Sequence, residues 1–339
     1  MKKTLRIGLV GCGFVSINHL DGYATIPEQA KVVAVADPDP KARQARVETY
    51  GIERSFASLA EMLENVELDA VDIASPREFH AEDCQLAARH GLPILCQKPL
   101  APTYDEAVAL VEGLPPDTRL MVHENWRFRP HYRVAAEWLA QGRIGPLRQA
   151  VMRTMTSGLL NNGDGVLPAL SRQPMMAGLS RLLLMEVMIH HVDVLRFLLG
   201  PLDLLAADIG HQCNDIIGED RATMMLRARS GGAVTLIGDF MAHGHPPMLA
   251  DRLEILGRDG AINLRGDELI LNRGGVVTDS HHFNRAADYK ASYADAIGHF
   301  ITCVQSGAPF ETAPIDNLQT LGIIETAYRI GARPHVADA

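Results

Sequence analysis

The chain has 339 residues, enough for two domains at roughly 150 residues each. Its 47% hydrophobic and 22% charged residues are an ordinary globular balance that excludes a coiled coil, a collagen-like repeat or a long disordered tail. With 41 acidic and 32 basic residues the net charge is −9, which opposes general attraction to nucleic-acid phosphates or anionic lipid. The five cysteines (Cys12, Cys84, Cys96, Cys213, Cys303) are odd in number and form no C-x-x-C pair, a usage that fits a reducing cytoplasm. The basic start Met1-Lys2-Lys3 precedes an apolar stretch, Ile7 to Ile17, but no A-x-A-like cleavage site follows, so no secretory leader is expected. The later apolar segment Leu179 to Leu199 carries Arg181, Glu186, His190, His191, Asp193 and Arg196, too much charge for a bilayer span. A cytoplasmic protein with neither a nucleic-acid nor a membrane partner is expected.

In chain order, short apolar runs come first: Leu5 to Val10, Val32 to Ala36, Ala70 to Ala74, Pro93 to Cys96 and Arg119 to His123. Continuous apolar runs alternating with amphipathic helices are the pattern of buried parallel strands, so this part is expected to be a doubly wound α/β domain over 1–123. A helix is predicted from Pro130 to Gln141 and a strand from Leu147 to Thr156. Residues 157–178 show no period, and a connection that long reads as a substrate loop, with Asn161, Asn162, Asp164, Arg172 and Gln173 as hydroxyl partners. Period-2 strands at Ala233 to Phe240, Leu253 to Leu256 and Glu268 to Leu271 are punctuated by Gly231-Gly232, Asp259-Gly260 and Gly274-Gly275, as in an antiparallel sheet. A last helix, Asn317 to Ile330, stops before Gly331. The second domain, 124–339, is therefore expected to be α+β with a large, mostly antiparallel open sheet.

Gly11-Cys12-Gly13-Phe14-Val15-Ser16 follows the first strand and opens a helix. In that context the first glycine permits a tight turn, the second lets backbone approach a pyrophosphate, and the helix N-terminus supplies N–H donors. Ser16 stands at the third glycine position and is small enough for close helix–strand packing. Asp37, at the end of the second strand and 24 residues after Gly13, can accept from both adenosine ribose hydroxyls and repel a 2′-phosphate; it is equally at home in the turn Asp37-Pro38-Asp39-Pro40. The reading is NAD in preference to NADP, with Lys41 and Arg43 close enough to serve NADP instead.

Lys98, in Cys96-Gln97-Lys98-Pro99-Leu100, falls at the carboxyl end of a parallel strand, where open α/β sheets bind ligands. These residues, with Ser75-Pro76 and His80 after the fourth strand, Asn125 to Pro130, and the closing pattern Ser306-Gly307 to Tyr328, resemble the glucose–fructose oxidoreductase, inositol dehydrogenase and rhizopine-catabolism family over nearly the whole chain. Gln97 replaces the Glu of the family's Glu-Lys-Pro. Glu186, His190 and Asp193 resemble its D-x-x-x-H-x-x-D segment, with Glu for the first Asp and Met188 where many members have Gly. At 3.6 residues per turn the three share one helix face, whereas His191 lies about 100° away and reads as a satisfied buried histidine.

The resemblance implies that hydride passes from a sugar, polyol or sugar-acid hydroxyl to nicotinamide, with Lys98 and His190 in proton transfer and Glu186 or Asp193 orienting the imidazole. Either Lys98 or His190 takes the proton first. Cofactor contacts are expected from Gly11, Gly13, Phe14, Val15, Asp37, Ser75, Pro76, His80, Gln97 and Lys98. Substrate contacts are expected from Lys98, Asn125, Arg127, Arg172, His190 and Asp193. No H-E-x-x-H or similar pattern is present, and His243, His245, His281 and His282 read as strand-surface or loop residues, so no metal is expected. Two other functions fit the same resemblance: an NAD-retaining glycosidase that oxidises its substrate transiently, and a non-catalytic NAD-binding regulator. A homodimer or homotetramer paired through the antiparallel sheet completes the expectation.

Overall fold

A computed structural model describes residues 3–161, 163–248 and 250–331. It divides into two compact units, one made of residues up to Arg129 with Ala286–Gln319, the other of Pro130–Arg285 with the residues from Thr320 onward. The sequence reading had two uninterrupted segments; in the structure the chain returns to its first unit.

The first unit holds a six-stranded parallel sheet. Its strands are β1 (Leu5–Val10), β2 (Ala30–Ala36), β3 (Arg54–Phe56), β4 (Ala70–Ile73), β5 (Ile94–Gln97) and β6 (Leu120–His123), in the order 3-2-1-4-5-6. This is the doubly wound dinucleotide-binding order, whose direction reverses between β1 and β4. Five of these strands are the apolar runs of the sequence. The three-residue β3 was not legible, because two of its three residues are exposed. The helices between strands begin at identifiable caps. For α2 (Pro40–Tyr50) the Asp39 carboxylate accepts from Lys41 N–H, and for α5 (Tyr104–Gly113) the Thr103 hydroxyl accepts from Glu106 N–H. The returning helix α9 (Arg285–Ser306) belongs here because Ile297, Phe300 and Ile301 join Ile7, Leu9, Leu20 and Tyr23 in one core.

The second unit is built on an eight-stranded sheet. Its strands are β7 (Leu147–Met155), β8 (Leu202–Gly210), β9 (Arg221–Ala228), β10 (Ala233–Asp239), β11 (Ala250–Gly257), β12 (Ala261–Arg265), β13 (Glu268–Arg273) and β14 (Val276–His282), ordered 14-13-12-11-7-10-9-8. β7 and β10 pair in parallel; the other adjacent pairs are antiparallel. One face is apolar, with Met224, Leu226, Leu236, Leu253, Ile255 and Leu271 buried. The opposite face carries Val151, Ile237 and exposed Met225 together with a transverse row of arginines, in which Arg153 on β7 stands directly opposite Arg252 on β11. The register of β11 with β12 carries the row on to Arg265.

Candidate active site

The glycine turn has the geometry its sequence requires. Gly11 adopts φ +92°, and a Cβ there would lie 2.6 Å from the backbone of Ala74 and Ser75, so only glycine lets the turn close against the end of β4. A Cβ on Gly13, by contrast, would meet nothing within 4 Å. Gly13 is the exposed N-cap of α1 (Phe14–Ala24), whose first turn has no side-chain cap. Open space over uncapped N–H groups fits a pyrophosphate. Phe14 and Val15 open this helix, Phe14 largely exposed and Val15 half-buried.

Asp37 is fixed by two backbone donors, Cys12 N–H to Oδ2 at 2.7 Å and Asp39 N–H to Oδ1 at 2.8 Å. The turn and ribose readings of this residue are thus compatible, since each carboxylate oxygen retains a further acceptor site. Burial, reinforced by Asp37, pushes the Cys12 thiol up to about 12, so it stays a neutral filler of the turn. Arg43 donates to the Asp37 carbonyl. Arg46, which sequence reasoning missed, donates to Ser16 Oγ at 2.9 Å and to the Gly13 carbonyl at 3.0 Å. Its signal was available: it lies one helical turn beyond Arg43 on α2.

Ser75 and Lys98 follow β4 and β5 on the two sides of their shared edge. The Ser75 hydroxyl donates to Asp83 Oδ2 at 3.1 Å, and burial raises the Asp83 carboxyl to about 6. His80 is buried, with Nε2 2.9 Å from the Ser75 carbonyl and Nδ1 3.0 Å from that of Pro99, and desolvation lowers its pKa. It is a brace between the two strand ends. Of the residues expected at the cofactor, His80 thus stands between two backbone carbonyls, while Pro76 is exposed. Gln97 is buried and accepts from the backbone N–H of half-buried Lys98 at 2.7 Å.

Asn125 and Arg127, expected at the substrate, are buried in internal bonds. The Asn125 amide donates to Ser292 Oγ at 2.8 Å, and Arg127 donates to the Glu311 carbonyl at 3.2 Å and pairs with Asp316 at 2.7 Å. Both hold the returning chain to the first unit.

In the second unit the expected continuous α-helix begins instead with a π-helical turn, Leu183–Met188, followed by the α-helix Ile189–Leu199. Ile189 N–H bonds to the Leu184 carbonyl five residues back. Glu186, half-buried, lies in this widened turn, so the 3.6-residue period applies to His190 and Asp193 on the α-helix, while the angle to Glu186 is set by the wider winding. Such turns recur at functional sites. Met188 is accommodated by Gly238 on β10, where a Cβ would lie 2.6 Å from its sulfur.

Glu219, for which the sequence offered no signal, anchors the start of the turn. Its carboxylate accepts from Leu184 N–H at 2.9 Å, from Leu182 N–H at 3.2 Å and from the Tyr328 hydroxyl at 2.7 Å. His191 is fully buried, with Nε2 2.8 Å from Asp251 Oδ1 and Nδ1 3.0 Å from the Val187 carbonyl, as expected of a satisfied structural histidine. Asp251 is legible in retrospect as an acid at an inward position of β11, in step with Leu253 and Ile255. His190 is 7% exposed; Asp193 is buried and accepts from the Thr320 hydroxyl at 3.4 Å, while Arg196 donates to the same hydroxyl at 2.8 Å.

The expected substrate loop contains a short α-helix, Pro168–Arg172, and a 3₁₀ turn, Pro174–Gly178. Arg172 is exposed and donates to the Pro247 carbonyl at 3.1 Å. Asn161 accepts from Gly163 and Gly165 N–H and so organises its own turn; Asn162 lies outside the described residues. His243 and His245 lie in a turn, and His281 and His282 on β14. Among the described residues no group of three or more His, Cys, Asp or Glu is placed to hold a metal ion, and no helix is long and apolar enough to cross a membrane.

A doubly wound sheet with an open glycine turn, an acidic β2 terminus and a lysine after β5 defines a dinucleotide-dependent oxidoreductase. The chain belongs to the Gfo/Idh/MocA family. Residues 5–122 match the model of the oxidoreductase family's NAD-binding Rossmann fold, and residues 132–263 match the GFO/IDH/MocA C-terminal domain. It is 32% identical to D-apiose dehydrogenase of Paraburkholderia graminis, over 96% of this chain and 87% of that protein. Identity to inositol 2-dehydrogenase of Rhizobium meliloti is 29%, over 96% of each. An oxidoreductase from Agrobacterium radiobacter, solved with NAD+, L-tartaric acid and magnesium, superposes with a TM-score of 0.88 at 27% identity, covering 97% of this chain and 96% of that one.

Proposed function

We propose that the chain oxidises a hydroxyl of a sugar, polyol or sugar acid, with NAD preferred over NADP. The observation that carries the reading is Lys98 at the end of β5, beside the sheet's point of reversal and held through its own peptide N–H by Gln97. When bound, NAD supplies the hydride acceptor. Lys98 donates a hydrogen bond to the reacting oxygen and stabilises the negative charge that develops there. His190 receives the hydroxyl proton, and Asp193, with Glu186 on the preceding turn, orients the imidazole and binds neighbouring hydroxyls. Arg172 is the loop residue we assign to substrate.

The similarity to proteins named dehydrogenases of apiose and inositol supports net oxidation over the glycosidase and regulator readings. NADH absorbance measured across sugars, polyols and sugar acids tests it: steady NADH formation with at least one is expected, and aglycone release without NADH would replace this reading by the glycosidase. We also assign a homodimer or homotetramer paired through the open sheet face, where Arg153 and Arg252 stand in register with one another, and a cytoplasmic setting in keeping with five free, buried cysteines.

A further inference from the structure

The peptide N–H of Lys98 orients a chain of buried hydrogen bonds. A backbone N–H can only donate, so the Gln97 atom 2.7 Å from it is the amide oxygen, and the NH₂ group is thereby directed to the ring nitrogen Nε2 of His19, 3.0 Å away. That NH₂ can only donate as well, so Nε2 accepts with its lone pair and the ring proton resides on Nδ1, which donates to Asp72 Oδ2 at 2.8 Å. His19 and Asp72 are fully buried and Gln97 is 7% exposed, so no link in this chain is exchanged freely with water. The chain joins three elements at the sheet's reversal: α1, which the glycine turn opens, β4 and β5.

We propose that Gln97 and His19 are positioning residues for Lys98. The amide is the one side-chain group at this position that both accepts from the lysine peptide and donates to the Nδ1–H form of His19. A glutamate at 97 has no N–H for Nε2 unless the ring or the carboxyl carries an additional proton. An apolar residue leaves the lysine peptide N–H and the histidine lone pair without these partners in the core. The rings of His123 and Tyr293, with centroids 4.4 and 5.6 Å from that of His19, hold the imidazole from the other sides. The relay thus explains why glutamine stands where the family pattern has glutamate. It rests on the reading of Lys98 as the group at the reacting oxygen.

Long-range ¹H–¹⁵N correlation spectra of the histidine-labelled full chain, recorded without substrate, test the relay directly. One ring should show a protonated Nδ1 and an unprotonated Nε2, and Gln97→Glu should move that ring, which assigns it. A His19 protonated on Nε2, or on both nitrogens, overturns the relay. In kinetics with NAD and a substrate that the wild-type protein oxidises, Gln97→Leu should lower kcat by about 10- to 100-fold, a larger change than in the Kd for NAD, as misplacement of a reacting group requires. A folded Gln97→Leu protein with wild-type kcat overturns the positioning role even if the tautomer is as stated. Lys98→Ala at wild-type kcat would instead remove the lysine reading on which the role rests, while the tautomer measurement still decides the hydrogen-bond chain by itself.

Discussion

The carboxylate of Asp37 and the backbone N–H of Cys12 are joined by a 2.7 Å hydrogen bond, which ties the end of β2 to the glycine turn after β1. The residue expected to read the adenosine ribose therefore also shapes the turn expected to hold the pyrophosphate. Asp37→Ala should weaken NAD binding by about 10- to 100-fold, the range for losing a hydrogen bond to a charged group, and should narrow the NAD-to-NADP ratio. Dissociation constants for both cofactors check this, and wild-type protein that binds NADP as tightly as NAD would defeat the assignment.

His191 and Asp251 form a buried pair, so removing the imidazole takes this donor from Asp251 Oδ1, while Oδ2 keeps the Tyr132 hydroxyl at 3.1 Å. His191→Leu should cost about 1–3 kcal/mol of stability, measured by denaturant unfolding. The double substitution His191→Leu with Asp251→Asn should recover part of that loss, giving a coupling energy in a double-mutant cycle. Additive losses would mean that the pair does not act as a unit.

The Asp83 carboxyl is raised to about 6 in the folded chain, above its ordinary value of 3.8. The folded state thus holds the proton more tightly than the unfolded state, and this contribution favours folding at low pH and is lost as pH rises through about 6. Asp83→Asn keeps a polar partner for Ser75 without the charge. Its Tm should exceed that of wild type above pH 7, with the difference shrinking below pH 4. A constant difference across that range would show that Asp83 titrates normally.

The arginines of the open sheet face predict the behaviour of the assembly. Arg153 and Arg252 stand directly opposite, an arrangement that disfavours an isolated sheet and that carboxylates of a second copy, if it pairs here as proposed, would relieve. Light scattering should give a multiple of 37.0 kDa, and Arg252→Glu should shift the equilibrium toward the single chain. Wild-type protein that scatters as one chain at micromolar concentration would exclude pairing through this face.

Much of this was legible because parallel strands buried on both faces spell themselves as apolar runs, as at β1, β4 and β6, and because Gly11 stands where the turn admits no Cβ. The family resemblance supplied Lys98 and His190. What escaped depended on contacts distant in the chain. The π-helical turn under Glu186 is anchored by Glu219, whose carboxylate meets Leu184 only after folding. α9 belongs to the first unit because Phe300 joins the core cluster that holds Ile7, a partnership that no local period encodes. Asn125 and Arg127 are buried in internal bonds for the same reason: Ser292 and Asp316 are remote in sequence and adjacent in space.

The central proposal is that Lys98 and His190 each serve in proton transfer during oxidation of the substrate hydroxyl. Its most direct test is steady-state NADH formation by Lys98→Ala and His190→Ala on a substrate the wild-type protein oxidises, alongside NAD binding by each variant. The account predicts kcat lower by about 10²–10⁴-fold in both, the range for losing a positioned proton-transfer group, with NAD affinity changed by less than about threefold. A folded His190→Ala or Lys98→Ala protein that turns over at the wild-type rate would contradict it.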